Sequence, residues 1–201
     1  MKTSFLVLII AILLRREWIA LWQAFDDTDP CFNAYNSRLS IYNAQDLHPD
    51  FIPKLGMGHV TLAGVRHHGM KNFEVWLQNL APGVATPIHR HPSGCEEINY
   101  VLSGSGIVRT LSADGGKVSE AAITVNSTMI APPGTIWMVK NTGKVTDLKV
   151  LVVIGCHQPG IHFFDSWAMA NNSEPAAVLD VMAWNQQCPP PLDNSQITVL
   201  T

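Results

Sequence analysis

Charge is scarce in this chain: Asp, Glu, Lys and Arg make up 14% of its 201 residues, and the net charge is only −3. No run of Lys or Arg stands out beyond the N-terminus, so nothing in the charge pattern points to a nucleic-acid partner. The apolar run from Phe5 to Leu14 is about ten residues long, whereas crossing a bilayer takes roughly 20. No internal repeat appears, and no low-complexity tract apart from Pro189-Pro190-Pro191. What is there is 47% hydrophobic, which excludes a disordered chain and suffices for one domain with a sizeable core.

The short apolar run has a different use. Lys2 precedes it and its length suits the core of a secretory signal peptide, although Arg15-Arg16 follow directly and no clean small-x-small cleavage site appears. Residues 1–24 are expected to be such a peptide, with Ala20 and Ala24 the best cleavage candidates and the cut falling between Ala20 and Cys31. An uncleaved anchor running through Trp22 would place two arginines in mid-span, at high cost. Asn126-Ser127-Thr128 and Asn171-Asn172-Ser173 are N-glycosylation acceptors. The cysteines are Cys31, Cys95, Cys156 and Cys188, and an oxidising compartment would let them pair; counting alone leaves all three full pairings open.

Between about Val60 and Gly155 the chain reads as short β segments punctuated by turns. Strands are expected at Phe73–Leu77, Glu97–Leu102, Ile107–Leu111, Ala121–Val125, Thr128–Ala131, Thr135–Lys140 and Leu148–Ile154. Strands this short and this close leave no room for crossover helices, so the fold is all-β, an antiparallel sandwich or barrel. Apolar residues at helical spacing from Glu174 to Trp184 predict a short C-terminal helix.

The chemistry lies in the stretch from Gly83 to Gly104. His89-Arg90-His91 on a strand puts both imidazoles on one face, where they can share a divalent transition metal. A carboxylate from the next strand, Glu97 or its neighbour Glu96, would complete a two-His, one-carboxylate set. Gly83 lies six residues before His89, and six residues separate Glu97 from Gly104. This frame resembles the first motif of the cupin family, with a gap between His91 and Glu97 one residue longer than usual. Glu97 is preferred because a turn at Pro92-Ser93-Gly94 absorbs an insertion more readily than a strand does. The second cupin motif is matched by Pro132, Gly134 and Asn141, but Trp137 stands where its histidine belongs. An indole donates one hydrogen bond and does not ordinarily ligate a metal.

The likeness is closer still to the auxin-binding protein family of plants, a branch of the cupins. It rests on Gly69-Met70-Lys71, Glu74-Val-Trp-Leu-Gln78, Thr86-Pro-Ile-His-Arg-His91, Cys95-Glu96-Glu97, the sequon at Asn126, Val139-Lys-Asn-Thr-Gly143, Asp147-Leu-Lys-Val-Leu-Val152, Asp165-x-Trp167-x-Met169 and Trp184-x-x-x-Cys188. The resemblance implies a jelly-roll barrel domain over residues 31–190, a flexible tail over 191–201, and a homodimer in the secretory pathway. It implies indole-3-acetic acid as ligand beside zinc on His89, His91 and Glu97, with Trp137 in place of a fourth ligand. Trp76, Gln78, Thr86, Pro87, Ile161 and Trp184 fall where the family lines its auxin pocket; Asn99 and Met182 stand where that pocket has phenylalanine. Cys31 and Cys188 match the family's disulfide, Cys95 matches a free cysteine, and Cys156 has no counterpart. The family's Lys-Asp-Glu-Leu ending is replaced by Gln196 to Thr201, which points to secretion as an alternative to the ER lumen.

The expectation is therefore a non-enzymatic binding protein for auxin or a similar small aryl carboxylate, with a receptor at the cell surface as a further partner. Two alternatives stand beside it: a metal-dependent cupin oxygenase or isomerase using the three-residue site, and a metal-free cupin that binds a protein partner.

Overall fold

A computed structural model describes residues 42–52, 54–65, 67–92, 94–113, 116–156, 159–172, 175–179 and 188. The expected signal peptide, Cys31, Met182, Trp184 and the C-terminal tail lie outside the described residues. Among the described residues, eleven strands follow a 3-10 turn at Ala44–Asp46: β1 Met57–Ala63, β2 Glu74–Leu80, β3 Ile88–Arg90, β4 Glu96–Ser103, β5 Ser105–Leu111, β6 Val118–Thr124, β7 Thr128–Ala131, β8 Trp137–Asn141, β9 Leu148–Gly155, β10 Ile161–Phe164 and β11 Ala177–Leu179. A short helix, α1, covers Trp167–Asn171 and is capped by the Ser166 hydroxyl, which accepts from the Met169 N–H. Among the described residues no helix is long and apolar enough to cross a membrane.

The strands form two antiparallel sheets, one in the order β1-β2-β9-β4-β7 and the other β11-β10-β3-β8-β5-β6. This is the two-sheet, all-β architecture expected for the chain. Strand β9 shows why the sheets face each other. Leu148, Val150, Val152 and Ile154 point inward and are buried, while the residues between them face out. They meet Trp76, Leu80, Val101, Val139 and Ile161 in one core.

Strand β4 passes to β5, in the other sheet, through Gly104 alone. Gly104 has φ +81°, and a Cβ there would stand 2.6 Å from the Asp147 carbonyl oxygen. Only glycine combines that conformation with that close approach. The corner fixes where β4 ends and thus which of its residues face in.

The C-terminal segment departs from the expected helix. Ala177, Val178 and Leu179 form strand β11, paired with Phe163, His162 and Ile161. The run is short enough for its apolar residues to fit either period, and pairing with an available sheet edge decides it. The helix sits earlier, at Trp167–Asn171.

Asn141, at the end of β8, is fully buried and ties three segments together. Its amide donates to the carbonyls of Leu80 and Thr146, each at 2.9 Å, and its side-chain oxygen accepts from the Gly143 N–H at 2.8 Å. Replacing it with alanine orphans a buried acceptor and two partly buried partners, an acceptor and a donor. Asn141→Ala is expected to cost about 2–4 kcal/mol, read from urea unfolding midpoints at unchanged slope.

Candidate metal centre

Alternation along β3 turns His89 inward between Ile88 and Arg90, and His91 follows at the strand end. On β4 the inward residues are Glu97, Asn99 and Val101, while Glu96 is exposed. The extra residue between His91 and Glu97 is taken up in a turn closed by the Cys95 N–H donating to the Pro92 carbonyl at 3.1 Å. His89, His91 and Glu97 thereby meet in the interior, all buried, with donor atoms within 4.8 Å of one another.

Each donor is held from behind. The Nδ1 of His89 lies 2.9 Å from the Pro87 carbonyl and that of His91 2.6 Å from the Gly160 carbonyl. A carbonyl accepts only from a protonated Nδ1, which leaves Nε2 of each ring to face the carboxylate. Glu97 Oε1 accepts from the Asn99 amide at 2.8 Å. Glu97 Oε2 lies 3.2 Å from His91 Nε2, yet it is buried and has no aligned hydrogen bond. An under-satisfied buried carboxylate oxygen beside the His91 Nε2, with a donor of His89 in the same cluster, fits a divalent cation.

Burial and charge compete at all three groups. Burial is the strongest influence on His89 and keeps its pKa below the ordinary imidazole value despite Glu97 nearby. Burial opposes charge on His91 too, but the facing Glu97 carboxylate, the Gly160 carbonyl and Glu74 outweigh it, so the pKa is raised. Burial alone would raise Glu97; the two imidazoles and the Asn99 amide reverse this and hold it below the usual carboxylate value. Each partner thus favours the charged form of the other.

Gln78, Thr86, His89, Glu97, Asn99, Trp137, Val139 and Val150 line a cavity of about 10 Å³ beside the three donors. Trp137 pairs with His89 across β3 and β8, and its ring sits 5.4 Å from the imidazole. The indole thus fills the place expected for a fourth ligand. Of the residues that the resemblance put in the ligand pocket, Gln78 and Thr86 line this cavity. Trp76, Pro87 and Ile161 do not: Trp76 is a core wall whose Nε1 donates to Glu74 at 2.8 Å and whose ring stands 5.9 Å from that of His91. Pro87 serves through its carbonyl, and Ile161 is core. Asn126 and Asn171 are both exposed.

Asn99, which stands where the family's pocket has phenylalanine, lies two residues after Glu97 on the same face and holds its carboxylate. The resemblance matched Cys95 to a free cysteine, while counting left its pairing open. The structure corrects this: Cys95 is bonded to Cys156, with Cα atoms 4.8 Å apart. The register explains the pairing, since Glu96 lies opposite Gly155 and the next residues outward are these two cysteines. Cys188 is disulfide-bonded as well; Cys31, its expected partner, lies outside the described residues.

Comparisons with known proteins agree with this geometry. A profile described as "Auxin binding protein" matches residues 31–196. The chain belongs to the auxin-binding protein family. It is 40% identical over 162 residues to Auxin-binding protein 1 of Arabidopsis thaliana, covering 79% of this chain and 78% of that protein. It is 39% identical over 152 residues to Auxin-binding protein T85 of Nicotiana tabacum, covering 74% and 79%. Among solved structures, recombinant oxalate oxidase in complex with glycolate superposes with a TM-score of 0.54 at 22% identity, over 64% of this chain and 66% of that one. A second oxalate oxidase structure gives 0.55 at 24% identity, over 67% and 68%. These two show the shared fold.

Two predictions follow from the way the donors are held. Asn99→Ala frees the Glu97 carboxylate to rotate, and zinc affinity is expected to fall about 10–100-fold, measured by chelator competition on protein with unchanged far-UV dichroism. A metal must displace the proton on His91, so affinity falls as pH falls, by about tenfold per unit for one proton. Because Glu97 holds that proton, the loss begins above the ordinary imidazole value of about 6.5. An affinity that stays flat from pH 8 to pH 6 would show that His91 is not a ligand.

Proposed function

We propose that this protein binds a small aryl carboxylate of the auxin class beside a zinc ion on His89, His91 and Glu97, without transforming it. The observation that carries this reading is the buried convergence of two imidazoles and an under-satisfied carboxylate oxygen in a chain of the auxin-binding protein family. Zinc in a three-ligand site supplies a cation able to take a carboxylate in place of water. The protein's own part is to hold Nε2 of each histidine forward, to keep Glu97 ionised and to shield the site from bulk water. The cavity of about 10 Å³ has room for a water-sized group. The family resemblance assigns the aromatic ring to Trp76, Gln78, Thr86, Pro87, Ile161 and Trp184, of which Gln78 and Thr86 line the cavity.

Entry into the secretory pathway belongs to the same proposal. Its structural support is the Cys95–Cys156 disulfide, a bond that persists in oxidising compartments. Asn126 and Asn171 are then glycosylation sites, and a homodimer and a receptor at the cell surface complete the reading. One observation favours a second reading, a metal-dependent enzyme: Trp137 removes a ligand, and three protein ligands leave coordination positions open. Oxygen uptake by the iron-loaded protein would support it.

Protein purified without added metal is expected to carry about one zinc per chain. Calorimetry with indole-3-acetic acid should give heat that a chelator abolishes; no heat with metal demonstrably bound would end the auxin reading. Restoring the fourth ligand with Trp137→His should tighten metal binding by at least about tenfold. No gain would show that Trp137 does not occupy a ligand position.

A further inference from the structure

Strand β4 is built inside out. Its inward side chains include Glu97 and Asn99, whereas Ile98, Tyr100 and Leu102 face outward with 47%, 37% and 44% of their surface exposed. The neighbouring strand β7 adds Ile130, directly opposite Ile98 and 73% exposed. Among the described residues β7 is the edge of its sheet, with Pro132 and Pro133 just beyond one end. An apolar row beside an open edge is a liability that proteins cover.

Asn126 stands at the other end of that row. It is exposed at the tip of the β6–β7 turn with φ +72°, a left-handed conformation that asparagine tolerates. The Tyr100 hydroxyl donates to its Oδ1 at 2.7 Å. That hydrogen bond occupies the amide oxygen and leaves Nδ2, the atom that N-glycosylation uses. Val125, also exposed, flanks the turn. An N-linked sugar has an apolar C–H face that suits an aromatic ring with a polar tip.

We propose that the first N-acetylglucosamine on Asn126 packs on the Tyr100 ring and covers the row of Ile98, Tyr100 and Ile130. This rests on the secretory reading given above. Transfer forms the bond from Nδ2 to sugar C1 and breaks the bond from C1 to a diphosphate-lipid donor, the amide losing one proton; the Oδ1 acceptor survives. The glycan is thus a structural cover for the outer face of the strand whose inner face carries Glu97. A homodimer of the glycosylated protein uses another surface.

The test uses full-length protein secreted from a glycosylating eukaryotic host, with peptide mass spectrometry to read occupancy at Asn126. Trimming to a single N-acetylglucosamine should leave the melting temperature unchanged. Thr128→Val, which removes the sequon but keeps Asn126 and Tyr100, should lower it by about 2–4 °C. In a Tyr100→Ser background the same sequon loss should have no effect, because the partner ring is gone. An occupied Asn126 whose loss shifts the melting temperature equally with and without Tyr100 would overturn the proposal. So would a glycosylated dimer that Ile130→Lys dissociates, since a second copy would then own this face. An unoccupied Asn126 in secreted protein would instead overturn the glycosylation on which the proposal rests.

Discussion

Glu97 places a carboxylate between two sheets, 3.2 Å from an imidazole, where burial alone would force a proton onto it. It stays ionised because His91 shares its charge and Asn99 donates to its other oxygen. A buried anion of this kind is stable only if its partners are held rigidly. The surrounding structure supplies that. Gly160 and Pro87 fix the two rings, and the Cys95–Cys156 bond joins the segment before Glu97 to the segment leading to Gly160. The barrel is therefore arranged around a charge that it would otherwise exclude.

Trp137 shows how one substitution redirects such a site without disturbing its frame. Pro132, Gly134 and Asn141 keep their places in the second motif, and Asn141 still ties β2, β8 and the following loop together. The indole is buried against His89. The three donors His89, His91 and Glu97 remain together in the interior.

Much of this was legible in the sequence, and the reasons differ by feature. His-x-His on a strand forces both rings to one face, and the fixed distance to Gly104 separated Glu97 from Glu96, because side-chain alternation leaves no intermediate. The strands from Glu74 to Gly155 followed from β-branched runs and turn residues. What was not legible depended on contacts remote in sequence. Cys95 meets Cys156 only through the register of β4 against β9. Ala177–Leu179 became a strand because β10 offered an edge.

The reversed polarity of β4 sets the local driving force against the native arrangement. A slip of one residue would bury Ile98, Tyr100 and Leu102 and release Glu97 to water. Ile98, Tyr100 and Leu102 would lose their remaining exposure, worth roughly 25 cal/mol per Å² of apolar surface, while Val101 would be exposed in exchange, so the local pattern does not by itself enforce the native register. The native one wins only through its ends, at the Gly104 corner and the cysteine bridge, and through its neighbours β7 and β9. The segment that carries the site thus holds a local conflict between pattern and placement, and its correct placement is a property of the whole fold.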